Sequence, residues 1–227
     1  MTAKILSVNV STPKMVEFEG QKVRTAIFKE PVKGRIRLKR LNLDGDKQAD
    51  LKVHGGPDKA VYAYPFEHYQ FWCDIYPYTK MPYGMFGENL TIVGLMESEV
   101  NVGDRFEIGS SKVIATQPRM PCFKLGVKFG NMNILRKFLL SRRSGIYFKV
   151  LEEGEVGAGD SIIKLESDTN RVTISDIVRI YTTDKEDIDM MQCALKVKDL
   201  PAGWRNYFNK QIRLIEKDQP GSKWSLS

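Results

Sequence analysis

Short runs of alternating apolar and polar residues, each closed by glycine, proline or aspartate, fill the first two thirds of this chain and commit it to a sheet. Residues 4–10, 22–29 and 35–41 alternate as strands do when one face is buried. Further strand-like runs occupy 61–64, 89–93, 105–108, 112–116, 146–150 and 161–165. Between them stand turn sequences such as Leu43-Asp44-Gly45-Asp46, Val102-Gly103-Asp104 and Gly157-Ala158-Gly159-Asp160. Many short strands joined in this way predict a mainly β architecture, a barrel or a sandwich. Two helical insertions interrupt it. One, at 65–75, is rich in aromatics; the other, at 131–142, puts Ile134, Leu135, Phe138 and Leu139 on one face.

Beyond Asn170 the apolar period becomes helical. Thr173 with Asp176 is a capping signal, and Thr183 precedes acidic residues and the stripe Ile188, Met191, Leu195. After Pro201, Trp204, Tyr207, Phe208, Gln211 and Ile215 form a third face. Three short amphipathic helices bury little surface alone, so they are expected to pack on the barrel near a pocket or on another subunit. The expected division is a β-barrel domain at 1–167, a three-helix domain at 168–218 and a polar tail at 219–227.

Composition narrows the class. With 42% hydrophobic and 28% charged residues in 227, the chain has the means to build a core. No apolar run approaches the ~20 residues that span a bilayer, and the opening MTAKILSVNV alternates, unlike a signal peptide. A cytoplasmic protein without a membrane partner is expected. Cys73, Cys122 and Cys193 are odd in number and far apart, which fits free thiols in a reducing compartment. The net charge of +7 is spread with both signs interleaved, which argues against a nucleic-acid partner and suits an anionic small ligand.

Three segments carry possible chemistry. In TQPRMPCFKL, Cys122 follows a proline and has Arg119, Lys124 and Lys128 nearby; cations favour the thiolate, and a soft thiolate suits a soft or redox-active metal. On the residues alone, a buried structural cysteine is the commoner reading. In KVHGGPDKAVY, His54 precedes Gly55 and Gly56, whose turn can present amides to an anion while imidazole exchanges a proton near neutral pH. A histidine beside a turn is as often structural, and His68, within the aromatic helix, is read as structural. In GMFGENL, Glu88 and Asn89 stand at a strand entrance, where they can orient a ligand or simply complete a turn. No CxxC pair, HExxH, phosphate loop or GxGxxG motif is present, and a Cys122–His54 nucleophilic dyad ranks below metal binding.

Taken together, TAIFKEPVKG, LDGDKQADLKVHGGPDKAVYAYP, GMFGENL, VGDRFEIG and TQPRMPCFKL, in that order, resemble the MOSC family, named for the C-terminal domain of molybdenum cofactor sulfurase. The resemblance is nearest to its YiiM-type branch, which carries a small C-terminal three-helix domain. It implies a β-barrel-like fold and a molybdenum cofactor (molybdopterin) held by Cys122 as metal ligand. It also implies reduction of N-hydroxylated compounds, such as hydroxylaminopurines and other hydroxylamines, to amines. On the same ground Arg119, His54, Gly55 and Gly56 are expected at the anionic cofactor, Glu88 and Asn89 on a pocket wall, and Lys29 at a phosphate; His54 is a second catalytic candidate. No flavin or iron–sulfur motif is present, so a separate electron-donating reductase is implied, and a homodimer is compatible with the sequence. The rival reading is a sulfur carrier with a persulfide on Cys122, serving metal–sulfur cluster or cofactor biosynthesis.

Overall fold

The computed structural model describes residues 2–49 and 55–218; His54 and the tail at 219–227 lie outside the described residues. In chain order the strands are β1 (Lys4–Val10), β2 (Lys14–Phe18), β3 (Gln21–Thr25), β4 (Glu30–Pro31), β5 (Ile36–Leu38), β6 (Val61–Pro65), β7 (Leu90–Val93), β8 (Arg105–Ile108), β9 (Ser111–Pro118), β10 (Ile146–Glu152), β11 (Gly154–Val156) and β12 (Ile162–Glu166). The helices are α1 (Glu67–Ile75), α2 (Phe123–Phe129), α3 (Asn133–Ser141), α4 (Ile174–Thr182), α5 (Ile188–Lys196) and α6 (Ala202–Asp218), with a 3-10 turn at Pro57–Lys59.

Eight strands form one sheet in the order β12-β8-β9-β10-β6-β7-β1-β4, in which only β6 and β7 run parallel. The sheet curls until its two sides meet. Ile5 N donates to the Asp160 carbonyl at 2.9 Å and Ile162 N to the Ala3 carbonyl at 2.8 Å, which closes β1 on the start of β12. Closure satisfies backbone groups that an open edge would leave unpaired, and makes the expected barrel. Its interior takes Ile5, Val8, Ile92, Phe106, Val113 and Phe148.

β6 shows how one short strand serves two layers. Its period of two sends Val61 and Ala63 into the barrel and Tyr62 and Tyr64 outward into a second, aromatic cluster. There Tyr64 stacks on Phe86 at 4.3 Å, Trp72 on Phe138 at 5.9 Å, and Trp72 Nε1 donates to the Tyr64 hydroxyl at 2.7 Å. Residues of α1, α2 and α3 cover this layer. His68 of α1 is buried with Nε2 2.8 Å from Glu97, as a structural histidine should be.

Several boundaries differ from the sequence reading. The strand expected at 22–29 ends at Thr25, because residues 14–18 pair with 21–25 as a separate hairpin and the chain then bends across the outside of the barrel. The run at 35–41 keeps only Ile36–Leu38, paired with β11. α2, directly after Cys122, was not foreseen. At the C-terminus Thr173 and Asp176 do form a reciprocal capping box, but α5 is capped by Asp187 rather than introduced by Thr183. α4–α6 pack on the barrel and share its core, with Val172, Ile174, Ile177, Trp204 and Phe208 in the same apolar cluster.

Candidate functional site

A cleft of about 590 Å³, counting the part open to solvent, lies outside the barrel where the ends of β3, β6, β9 and β10 converge. Cys122, half-buried, lines it from the extended residue that precedes α2, and its carbonyl already accepts from Leu125 N at 2.9 Å. Pro121 and that first helical bond fix the backbone on both sides of the thiol.

Arg119 follows β9 directly and lines the same cleft while being only 7% exposed. Its guanidinium lies 4.9 Å from the centroid of the Tyr62 ring, and Tyr62 pairs across strands with Tyr147, ring to ring at 5.0 Å. Nη1 of Arg119 is buried and makes no hydrogen bond among the described residues. A buried, unpartnered charged donor is costly, so this atom marks a place for an acceptor. Burial opposes the charge, yet Tyr62, Tyr147 and Cys122 packed beside it offset that and hold its pKa above the ordinary arginine value. Burial raises the pKa of both tyrosines, so they stay neutral phenols; the Tyr62 hydroxyl donates to the Ser144 carbonyl at 2.8 Å.

Around this centre the cleft is cationic. Lys29, Lys47, Lys59 and Lys124 join Arg119 on its lining, and Asp46 is the carboxylate among the lining residues. Asp46 is itself committed. It forms an ion pair with Lys29 and accepts from Ser11 N at 2.9 Å and from Asn89 Nδ2 at 3.0 Å. Burial lowers the pKa of Lys29 despite Asp46, and burial likewise lowers that of Lys59 despite Asp58. The 3-10 turn that carries Lys59 is held by Thr116 Oγ1 and Gln117 Nε2, which donate to the Asp58 carbonyl at 2.7 and 3.3 Å. Excess positive charge over a concave surface selects anions.

The sequence candidates divide accordingly. Cys122, Arg119, Asn89 and Lys29 meet on the cleft. Asn89 serves mainly as a strut, since its Oδ1 accepts from Tyr62 N at 3.2 Å and its Nδ2 reaches Asp46. Glu88, expected on a pocket wall, is instead fully buried behind the site. Its carboxylate accepts from the Tyr69 hydroxyl, from Gly84 N at 2.8 Å, Phe86 N at 2.9 Å and Thr91 Oγ1 at 2.9 Å, which uses its lone pairs internally. Gly55 and Gly56 are half-buried beside the 3-10 turn but are not among the lining residues; Gly56 takes φ 96° to start that turn. His54 lies outside the described residues. Reading the sequence missed Tyr62, Tyr147, Asp46 and Lys47; the two tyrosines were visible only as strand alternation, and Asp46-Lys47 only as part of a turn. Among the described residues no group of three or more His, Cys, Asp or Glu is placed to hold a metal ion.

The MOSC domain family matches residues 50–163, and the YiiM-like, 3-alpha helix domain matches 172–213. YflK of Bacillus subtilis is 39% identical over 212 residues, covering 93% of this chain and 96% of the relative. The chain belongs to the MOSC family. The crystal structure of YiiM from Geobacillus stearothermophilus superposes with a TM-score of 0.78 at 31% identity, over 92% of this chain and 99% of that one. A protein named Reductase from Gibberella moniliformis is 27% identical over 175 residues, 76% of this chain but 31% of that longer protein. Family and fold agree with the expectation drawn from the quoted segments.

Proposed function

We propose that this chain is an oxidoreductase that holds a molybdenum cofactor through the Cys122 thiolate and reduces N-hydroxylated compounds, hydroxylaminopurines and related hydroxylamines, to amines. The observation that carries the reading is the buried Nη1 of Arg119, without a hydrogen-bond partner among the described residues, on the same cationic cleft as the Cys122 thiol. A phosphorylated pterin with a thiolate-seeking metal needs that donor set: a soft sulfur for the metal and fixed cations for the anion. Family membership and the relative named a reductase support the reaction class.

When bound, the cofactor supplies two-electron chemistry at the N–O bond. The rest falls to the protein. Cys122 Sγ would ligate the metal; Arg119, Lys59, Lys124 and Lys47 would hold the anionic parts, with Lys29 partly compensated by Asp46. The neutral Tyr62 and Tyr147 rings wall the site beneath Arg119 and keep water from its buried face. Converting R–NHOH to R–NH2 and water takes two electrons and two protons. Lys59 Nζ, its pKa lowered by burial on a turn pinned to β9, is a proton donor within the cleft. His54 is assigned a second proton-delivery role. A separate reductase supplies the electrons. The barrel unit to about residue 167 would form the pocket and the helical unit from about 168 would support it.

The test is molybdenum and pterin content after expression in a cofactor-competent host, for wild type and Cys122→Ala. Wild type should hold about one molybdenum per chain; the variant should lose it more than about tenfold while keeping its Tm. Full molybdenum in the variant would remove the proposal. Sulfane sulfur on Cys122 with little molybdenum would point instead to a sulfur carrier.

A further inference from the structure

We propose that the exposed side of the α2–α3 pair, beside the cleft, is the docking face for an acidic electron-donor protein; the inference rests on the reductase reading above. No aspartate or glutamate occurs between Glu107 and Glu152, a stretch that contains Cys122 and both helices and in which lysine and arginine recur. On the surface of α3 and its C-cap, Arg136, Lys137 and Arg142 are exposed, and none forms an ion pair among the described residues. Lys137 lies 4.9 Å from the centre of the Tyr76 ring, and Arg142 acts at a distance on Asp184, which Arg179 already pairs at 2.5 Å. The other basic run, around β5, differs. There Arg35 meets Asp160 at 2.7 Å, Arg37 meets Glu153 at 3.3 Å and Lys39 pairs with Asp44, so its charge is spent within the chain.

Leu140, 53% exposed, lies at helical spacing from Arg136 and Lys137 on the exposed face of α3, and Phe123 and Met132, near the starts of the two helices, are 49% and 38% exposed. Apolar contacts ringed by one sign of charge suit a protein of the opposite sign better than a phosphate backbone, which offers little to a leucine. The apolar stripe of α3 itself, Ile134 and Phe138, is sunk in the aromatic core, so too little remains for insertion into a lipid surface. The face is also close to the chemistry. Phe123 is bonded to Cys122, and a small crevice lined by Met120, Pro121 and Arg142 lies directly behind Arg119. Electron transfer falls steeply with distance, which favours a donor seated against the helix that begins directly after Cys122. The step balances as R–NHOH plus two electrons and two protons giving R–NH2 and water, the donor being oxidised by two electrons in one or two visits and the protons drawn from solvent through the donors of the cleft.

Flavodoxin, an acidic one-electron carrier, serves as the probe, two molecules per turnover. Its binding in the oxidised state is measured at about 20 mM and about 300 mM salt for the wild type, for Arg136→Glu/Lys137→Glu/Arg142→Glu, and for a control with equal charge change, Lys22→Glu/Lys33→Glu/Lys198→Glu. The wild type should bind at low salt and release with added salt; the α3 variant should bind about tenfold more weakly or worse at low salt, the control nearly as wild type. Turnover of the cofactor-loaded protein driven by reduced methyl viologen should be the same in all three. Absence of wild-type binding, equal loss in control and α3 variant, or preferential binding of a duplex oligonucleotide or an anionic vesicle through this face would overturn the proposal. Lack of molybdenum and of viologen-driven turnover in the wild type would overturn the reductase reading, while the binding measurement would still report on the face.

Discussion

Lys128 and Glu88 together hold the turn at 84–87, gripping both backbone groups of Gly84. Glu88 accepts from the amides of Gly84 and Phe86, while Lys128 Nζ donates to the Gly84 carbonyl at 2.7 Å and to the Ile27 carbonyl at 3.0 Å. The turn ends at Gly87, where a Cβ would come within 2.8 Å of Ile27 and 3.5 Å of Arg119 Nη1, so its position sets the back of the cleft. Glu88→Gln keeps the size but replaces an acceptor oxygen with a donor in a site where Gly84 N and Phe86 N can only donate, and should cost about 1–3 kcal/mol in urea unfolding. A loss below about 0.5 kcal/mol would mean the turn does not depend on the carboxylate. Burial pulls the Lys128 pKa down to about 8 from 10.5, against Glu88 and with Arg119, Lys29 and Lys14 adding to the fall. Between those two values the unfolded chain binds more protons than the folded one, so this group makes stability rise with pH. The stability of wild type relative to Lys128→Met should therefore grow from about pH 8 to about 10.5, and a flat difference would contradict the buried charge. Little of this was legible in the sequence. Arg119 and Cys122 announced themselves as a cation and a thiol three residues apart, each directly after a proline, but Glu88 read as a pocket group because chain order cannot tell which side of a turn a carboxylate faces.

Elements were read more securely where their pattern was local. β1 and β8 match residue for residue, since alternation over one buried face is written in four to seven successive positions. β2 and β11 escaped, and β3 was expected to run on to 29, because these strands are largely exposed and carry weak alternation; α2 escaped because its apolar residues face a layer assembled from distant segments. The α4 cap was visible as Thr173 and Asp176, and its geometry makes a prediction. Thr173 Oγ1 accepts from Asp176 N at 3.0 Å and Asp176 Oδ2 accepts from Thr173 N at 3.0 Å, while Val172 and Ile174 beside them bond to the backbone of Val102 and Val100. Thr173→Ala should lower stability by about 1 kcal/mol without changing molybdenum content, because the cap fixes the entry of a helix that does not line the cleft. A fall in cofactor with no fall in stability would show that α4 acts on the site directly.

The barrel and the C-terminal helices behave as one folding unit with one continuous core, although their family matches are separate. Every motif quoted for the cofactor site precedes Ser167, so a cut there would leave all of them in place. The packing argues otherwise. Truncation would expose the barrel surface now covered by Val172, Ile174, Ile177, Trp204 and Phe208, and each large apolar side chain lost from such a core is worth about 1.5–3 kcal/mol. It would also break a polar line to the site: Trp204 Nε1 donates to Gln117 Oε1 at 3.1 Å, and Gln117 Nε2 donates at 3.3 Å to the Asp58 carbonyl, next to Lys59 in the cleft. The truncated chain should therefore melt about 10 °C or more below the full chain and lose turnover equally with a protein donor and with a small chemical reductant. Trp204→Phe breaks the polar line with less loss of packing than truncation, because an aromatic ring is kept while the N–H and the indole's second ring are removed. It should cost about 1 kcal/mol and, if the line positions Lys59, shift the pH profile of viologen-driven turnover while leaving molybdenum content unchanged. A truncated protein with the full-length Tm, or a Trp204→Phe protein with the wild-type pH profile, would confine the helices to a role away from the cleft.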